Sequence, residues 1–322
     1  MRFAILLFAA ALRAALLAAL LAALPAAEPV YELAGQIDPE SAASVTLYGA
    51  THPFTASALA DESGRFGFKK LLPATYTVAI YLPGHGEIRR TIEVGPGTAD
   101  ARHRVHLALR LADADFDRSA IGRQNAVSRT QLTIPEKAQR DYADAQKDLE
   151  RHDIAGAEQH LERAVEIAPQ FAAAWNNLGT IAYQTRRFWQ AEQRFREALR
   201  ADPAAYEPLV NLGGVLINVH KLDEALEVNV RAVLVRPNDA LAHSQLGMAY
   251  FETGQYGLAV RHLEMARRID AAHFSHPQLF LAEIFLRRGD KLAAAEALED
   301  FLQHHPDYPQ ADVMRKRIAD IR

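Results

Sequence analysis

The 322-residue sequence contains no cysteine. This absence excludes disulfide bonds, thiolate nucleophiles and cysteine-based zinc sites, and it removes the lipidated cysteine of a bacterial lipoprotein. The sequence also has no HExxH, Walker or GxSxG motif, and its 13 histidines form no three-residue cluster at ligand spacing on one helix. We therefore expect a protein that is not an enzyme and that uses no metal and no cofactor.

Basic charge is also scarce. The chain carries 36 Lys and Arg against 40 Asp and Glu, for a formal net charge of −4, and it has no run rich in Lys and Arg. Nucleic-acid binding needs clustered positive charge to neutralise phosphates. Nucleic acid is therefore excluded as a partner.

A long apolar run opens the chain, MRFAILLFAAALRAALLAALLAAL at residues 1–24. Its apolar part after Arg13 is too short for a hydrocarbon core of ~30 Å, and small residues at Ala26 and Ala27 suit a signal-peptidase cut. Residues 1–27 are therefore predicted to be the signal peptide of an exported protein, periplasmic or secreted. In the alternative, Arg13 is tolerated inside an uncleaved anchor, through which alone the chain would contact a membrane.

Residues 30–111 alternate between apolar and polar side chains. In RVHLALRL (104–111), Val105, Leu107, Leu109 and Leu111 share one face, and Tyr76, Val78, Ile80 and Leu82 do the same in an earlier segment. Such alternation is typical of half-buried antiparallel strands. Turn signals, DESG, PGHG and GPG, separate the segments. We expect a small antiparallel β-sandwich over residues 28–111.

The stretch DESGRFGFKKLLPATYTVAI (61–80) resembles the carboxypeptidase regulatory-like domain, a transthyretin-like sandwich. The matching residues are Gly64, Phe66, Phe68, Leu72, Pro73 and Tyr76. Ala74 stands where that family usually has glycine. The resemblance implies a non-catalytic accessory module. Similar sandwiches bind starch-like sugars, for which Tyr48, Phe54 and Tyr81 are the candidates here, and the alternative is that these aromatics pack internally.

Residues 112–134 show neither the alternation of a strand nor the periodicity of a helix. DADFD (113–117) resembles the start of a calcium loop, but Arg118 and Gln124 replace the glycine and glutamate that such a loop requires. We predict a solvated linker, followed by a helix that begins near Pro135.

A 34-residue repeat governs the rest of the chain. AWNNLGTIAY (174–183) returns as PLVNLGGVLI (208–217) and as AHSQLGMAYF (242–251). The residues of one unit, Trp175, Leu178, Gly179, Ala191, Phe195 and Pro203, resemble the tetratricopeptide repeat. This implies an all-α superhelical solenoid over 135–308. The predicted repeats are 137–170, 171–204, 205–238, 239–272 and 273–308, with a capping helix over 309–322 that places Val313, Ile318 and Ile321 inward.

The repeated Leu-Gly pair has two interpretations. A phosphate-binding glycine lies in a loop before a helix with free N–H groups, whereas a packing glycine lies inside a helix and lets a second helix approach. Gly179, Gly213 and Gly247 fall in the middle of predicted helices. We therefore interpret the pair as a packing device.

In tetratricopeptide proteins the first helix of each repeat lines a concave groove, so the resemblance implies a binding site there. The candidate groove residues are Tyr142, Leu149, Asn176, Tyr183, Val210, Ile217, Leu241, Met248, Phe251, Leu279 and Leu286. None is Lys or Arg, which argues against a clamp for acidic peptide tails and favours an amphipathic helix or an extended apolar peptide. The alternative is that several of them pack against the second helices.

These observations predict a non-enzymatic scaffold of the cell envelope that binds a protein or peptide partner. The alternative function is an envelope carbohydrate-binding protein that uses the sandwich.

Overall fold

The structure is a computed structural model, and it describes residues 29–117 and 133–322. The predicted signal peptide lies outside these residues, as do Arg118 and Gln124 of the predicted linker. The first part of the chain forms strands β1 to β7, at Tyr31–Asp38, Ala43–Gly49, Thr55–Ala60, Arg65–Leu71, Ala74–Leu82, Gly86–Val94 and Arg104–Arg110. These strands are referred to below as the β region.

The β region contains two small sheets. One has the strand order β4-β1-β7 and the other β3-β2-β5-β6. All pairs are antiparallel except β1 with β7, where Leu33 lies opposite Val105 in a parallel register. The expectation of a fully antiparallel fold was wrong for this pair. The chain leaves β1, forms the other five strands and returns in β7 in the same direction, a crossover that adjacent-strand alternation does not reveal.

Both sheets contribute to one hydrophobic core. Leu33 and Phe66 from the first sheet and Leu47, Tyr76 and Ile80 from the second are buried in the same cluster. The period-two prediction is confirmed, because the alternating apolar residues of β5 and β6 face inward. The Tyr76 hydroxyl donates a hydrogen bond to the Leu72 carbonyl at 2.9 Å, which satisfies the polar end of a buried ring.

The second part of the chain is helical. Helices α1 to α11 are Glu136–Glu150, Ile154–Ile167, Ala172–Gln184, Phe188–Ala201, Tyr206–Asn218, Leu222–Val235, Ala240–Glu252, Tyr256–Ile269, Pro277–Arg287, Lys291–His304 and Ala311–Ile321. The first ten form five antiparallel pairs that stack in chain order, since each helix contacts the next. Pro203 and Pro237 follow the ends of α4 and α6, where a residue without an N–H can no longer continue a helix.

Close packing within each pair explains the repeated glycines. A Cβ at Gly179 in α3 would lie 2.5 Å from the Phe195 ring of α4, and one at Gly247 in α7 would lie 2.7 Å from Leu263 Cγ of α8. Real Cβ atoms do not approach so closely, so only glycine allows this helix separation. The interpretation of the Leu-Gly pair as a packing device is confirmed.

The last helix, α11, caps the final pair. Ile318 and Ile321 are buried as predicted, but Val313 is 68% exposed, so its predicted inward position was wrong. Val313 precedes Ile318 by five residues, which places it about 140° around the helix. Met314, four residues before Ile318, is on the buried face instead.

Candidate protein-binding surface

The first helices of the five pairs, α1, α3, α5, α7 and α9, form a continuous surface that we call the first-helix face. The predicted groove residues divide into two groups here. Leu149, Val210 and Ile217 are buried in the helical core, so they are not available to a partner. The half-buried group is Tyr142, Asn176, Tyr183, Leu241, Met248, Phe251, Leu279 and Leu286.

A ladder of hydrogen bonds links the first helices of the N-terminal pairs. Asn177 Nδ2 donates to the Tyr142 hydroxyl at 3.2 Å, Asn211 Nδ2 to Asn176 Oδ1 at 3.1 Å, and Asn218 Nδ2 to the Tyr183 hydroxyl at 3.1 Å. Each bond joins residues 35 positions apart. Burial raises the pKa of both tyrosines, so their hydroxyls stay protonated at neutral pH. This half of the face is polar and offers amide and hydroxyl groups.

Sequence reasoning missed Asn177, Asn211 and Asn218. A signal was present, because each lies one residue beyond the repeat length from a predicted groove residue. Neighbouring first helices pack side by side, so a spacing near the repeat length brings polar side chains together across them.

The C-terminal half of the face is apolar. Leu241, Met248, Phe251, Leu279 and Leu286 lie half-buried at the margin of the helical cores. The Phe251 ring packs against Phe280 at 5.4 Å between ring centroids, and the Arg287 guanidinium lies 5.0 Å from the Phe251 centroid. The Arg287 side chain thus covers part of the Phe251 ring, and Leu241, Met248, Leu279 and Leu286 remain at the margin of the face. This half therefore suits apolar groups on a partner.

The β region lies across the polar half of this face. Gln184 Nε2, at the C-terminal end of α3, donates to the Gly49 carbonyl at 2.9 Å. Arg89 of β6 pairs with Glu207 at 3.2 Å, at the N-terminal end of α5. These contacts involve opposite ends of two neighbouring first helices, so the β region spans the width of the face.

Tyr48 of β2 occupies the seam between the β region and the helices. Burial raises the pKa of Tyr48 to about 12, with smaller contributions from charges on both sides of the seam, among them Arg89 and Glu207. The side chain nevertheless remains 43% exposed. The seam is therefore lined by polar groups and open to water.

Strand β6, at the edge of its sheet, follows a line of helix ends. The residues immediately after α6, α8 and α10 are Arg236, Asp270 and His305, which recur at nearly the repeat length. Arg236 pairs with Glu87 at 3.3 Å, Asp270 accepts the Thr91 N–H at 2.9 Å, and His305 pairs with Glu93 at 2.8 Å. The contact at Asp270 thus satisfies one backbone N–H of this edge strand, and the other two contacts pair side chains across the seam.

Arg236 is the centre of the charged contacts. It is 7% exposed and also pairs with Asp117 at 3.2 Å and with Glu207 at 3.1 Å, while its guanidinium lies 4.0 Å from the Tyr206 ring centroid. Burial alone would raise the pKa of Glu207, but Arg236 and Arg89 outweigh it and lower that pKa. Glu207 is therefore ionised at neutral pH, and the cluster joins the two regions through paired charges.

A second contact joins the N-terminal pair to the β region. The imidazole of His152, between α1 and α2, stacks on Phe54 with ring centroids 5.1 Å apart and on His52 at 6.2 Å. Burial lowers the pKa of His52 to about 4, and His152 contributes in the same direction. Both imidazoles are neutral at pH 7, which permits the stack.

The proposed sugar-binding aromatics have different surroundings. Phe54 is buried against His152 and Tyr76, Tyr81 is half-buried, and Tyr48 lies in the seam. They do not form a joint exposed platform.

No group of three or more His, Asp or Glu residues in 29–117 and 133–322 is placed to hold a metal ion. Within the same ranges, no helix combines the length and the apolar character needed to cross a bilayer.

Comparison with known proteins agrees with the repeat geometry. The family model described as "Tetratricopeptide repeat" matches residues 172–204, which include the α3–α4 pair. Tetratricopeptide repeat protein 21B of Xenopus laevis is 30% identical over 112 residues, which is 35% of this chain and 8% of that protein. The human cell division cycle protein 16 homolog is 29% identical over 119 residues, 34% of this chain and 19% of that protein. The matched part thus spans a fifth or less of each of these relatives.

Solved structures show the same fold. PilW, described as a type IV pilus biogenesis factor, superposes with a TM-score of 0.51 at 20% identity and covers 58% of this chain and 86% of its own. PilF of Pseudomonas aeruginosa has a TM-score of 0.50 at 21% identity, with 58% and 84% covered. The family model thus identifies residues 172–204 as a tetratricopeptide repeat, and the solved structures show that the five stacked helix pairs over 136–304 have the same helical-repeat fold, preceded by a β region of two small sheets.

Proposed function

We propose that this protein is a non-enzymatic interaction scaffold of the cell envelope and that its partner binds on the first-helix face. In this proposal, residues 28–111 form an accessory domain of the carboxypeptidase regulatory-like type, and residues 135–308 are five repeats. The observation that carries the proposal is the division of the face. One half presents the amide and hydroxyl ladder and the other presents five half-buried apolar side chains.

The division of the face supports a partner that carries both apolar and polar groups. Met248 and Phe251 offer adaptable apolar contacts, which suit the apolar stripe of an amphipathic helix or the side chains of an extended segment. The ladder amides can bond a partner backbone or polar side chains. Since none of the eleven predicted groove residues is Lys or Arg, the partner is expected to bind without a terminal carboxylate clamp.

The envelope location rests on the N-terminal sequence. The basic and apolar segment over residues 1–24, followed by small residues, supports export. A cleaved signal peptide would leave a chain that begins close to β1.

Affinity capture from envelope extract tests the proposal. The full exported chain is compared with a variant carrying Met248→Glu and Leu279→Glu, and with a control carrying Leu234→Glu and Leu292→Glu. The control leucines are 74% and 63% exposed and lie on second helices. We expect one protein to be recovered by the wild type and the control and lost by the first variant. Equal recovery by both variants would contradict the proposal, provided that circular dichroism shows all three chains folded.

A further inference from the structure

The contact between the β region and the solenoid is polar. The apolar cluster of the β region contains residues 31–116 alone, and the helical clusters contain residues from 134 onward. The two regions therefore share no hydrophobic core. They are joined by the ion pairs of Arg236 and Arg89, the pair of His305 with Glu93, a few bonds to backbone groups, and the stack of His152 on Phe54 and His52. The partly exposed Arg89–Glu207 pair is screened by salt, whereas the buried pairs of Arg236 are screened less, so the contact is expected to open only in a minor state.

Several polar atoms at the contact are buried without a hydrogen-bond partner in the protein. They include Thr91 Oγ1 on the β region and Gln184 Oε1 and His305 Nε2 on the solenoid. Each would be solvated if the β region moved away, so each favours separation. Tyr48 and Glu207, both about half exposed, show that water already reaches the seam.

The covered surface is part of the polar half of the first-helix face, because the ladder residue Asn218 at the end of α5 stays exposed. Gln184 and Glu207 contact the β region at opposite ends of α3 and α5, and the ladder residues Asn176, Tyr183 and Asn211 lie on these two helices between the two contacts. A helix is about 10 Å wide with its side chains, so a partner helix cannot lie on this half while the β region is in place.

We infer that the β region is an intramolecular occupant of the first-helix face and that a protein partner reaches the polar half by displacing it. This inference rests on the proposed function, since it concerns access to the same face. The β region acts as a gate: seated, it leaves the apolar half as the first point of contact, and displaced, it exposes the ladder to the rest of the partner.

The absence of cysteine makes the gate directly measurable. A chain with Gln184→Cys carries its thiol under the β region, whereas Asn218→Cys places one at the equivalent position of the next repeat, which is exposed. With a maleimide as the probe, we expect Cys at 184 to react at least about tenfold more slowly than Cys at 218, as for a site open in a minor state. Adding Arg236→Gln and Asp270→Asn should bring the two rates close together and leave the rate at 218 unchanged.

Two results would overturn the inference. Equal rates at the two positions in the otherwise unaltered chain would show that the β region does not cover the face. A slow rate at 184 that neither the two interface substitutions nor 1 M NaCl increases would show a permanent contact rather than a gate. Exchange of the Thr91 amide, which donates to Asp270, provides a second readout in the unsubstituted chain, and it should accelerate with salt together with the reaction at 184.

An engineered disulfide between the β region and the solenoid tests whether the partner displaces the β region. Gly97 N donates to Asp307 Oδ2 at 3.0 Å, and a Cβ at Gly97 would contact that carboxylate, so Gly97→Cys with Asp307→Cys brings two thiols within reach of a disulfide. The oxidised chain should capture at least about tenfold less partner than the same chain after reduction. Equal capture in the two states would refute displacement. If maleimide reports a gate but no chain captures a partner, the proposed function fails and the gate stands.

Discussion

The two regions of this protein build their cores over different distances along the chain. In the β region the first and last strands are neighbours, so the core closes only when Leu33 of β1 and Val105 of β7 have met. In the solenoid each helix contacts the next in sequence, and each core cluster draws on neighbouring pairs. Long-range pairing produces an all-or-none unit, whereas stacked repeats add their stabilities locally.

Matched truncations of two buried phenylalanines should give the largest contrast between the regions. We expect Phe68→Ala in β4 and Phe195→Ala in α4 each to cost about 3–5 kcal/mol, because both remove a buried ring. Phe68→Ala should weaken all seven strands together, whereas Phe195→Ala should weaken mainly the pairs around α4. Amide exchange resolved along the chain measures both effects.

The contradicting outcome is equally specific. If Phe195→Ala increased exchange in α9 and α10 as much as in α3 and α4, the helical pairs would form one cooperative unit. The contrast between the two regions would then be lost.

A pair of glycine substitutions comes next in size. Gly179→Ala places a methyl group 2.5 Å from the Phe195 ring and should cost about 1–3 kcal/mol through overpacking. Gly257→Ala, near the start of α8 with nothing within 4 Å, should instead stabilise the chain by up to about 1 kcal/mol, since alanine favours helix more than glycine. Urea unfolding followed by circular dichroism gives both values. Stabilisation by Gly179→Ala would show that the helix pair separates easily.

The solenoid could be predicted because the residue pattern that specifies it lies within each repeat. The repeat of Leu178, Gly179 and Pro203 at one spacing fixes helix length, pairing and the close approach of helices without reference to distant residues. The seven strands were visible for the same reason, since alternation is local. The parallel pairing of β1 with β7 was not, because it depends on which distant strands meet.

The candidate surface was predictable only in outline. Its location follows from the repeat, but Val210 and Ile217 lie on the same helix as Asn211 and are buried, which depends on how far neighbouring helices interlock. The contact with the β region was missed entirely. Arg236, Asp270 and His305 each follow the last residue of a second helix, where polar residues are common. Nothing in their spacing indicates that a strand of the β region contacts them.

Acidification should act on the junction between the two regions. Burial and then His152 lower the pKa of His52 to about 4 in the folded chain, against about 6.5 when unfolded. The unfolded chain therefore binds the proton first, and stability is lost as the pH falls from 6.5 towards 4, with no change above 6.5. For His52 we expect a loss on the order of 1–3 kcal/mol.

Thermal unfolding between pH 7 and pH 4 measures this loss. His52→Phe keeps a ring on the His152 stack without a proton-binding site, so its pH dependence should be flatter than that of the wild type. His85→Phe, whose ring lies 5.6 Å from Phe116 and outside the stack of His52 and His152, is the matched control. An identical pH dependence in all three chains would show that His52 does not titrate as its burial requires.

The smallest expected effect lies at the end of the solenoid, where the local character of its stability is clearest. Val313→Ala removes methyl groups that water already surrounds and should change stability by less than about 0.5 kcal/mol. Ile318→Ala, on the opposite side of α11, removes buried methyl groups. Full burial corresponds to a loss of about 2–5 kcal/mol in the free energy of unfolding, and fraying of a terminal helix shifts the expected loss towards the lower end of that range. If stability is additive along the stack, amide exchange after Ile318→Ala should rise in α10 and α11 and stay unchanged in α1 to α4. A rise throughout the helices would mean that the capping helix stabilises the whole solenoid and not only the last pair.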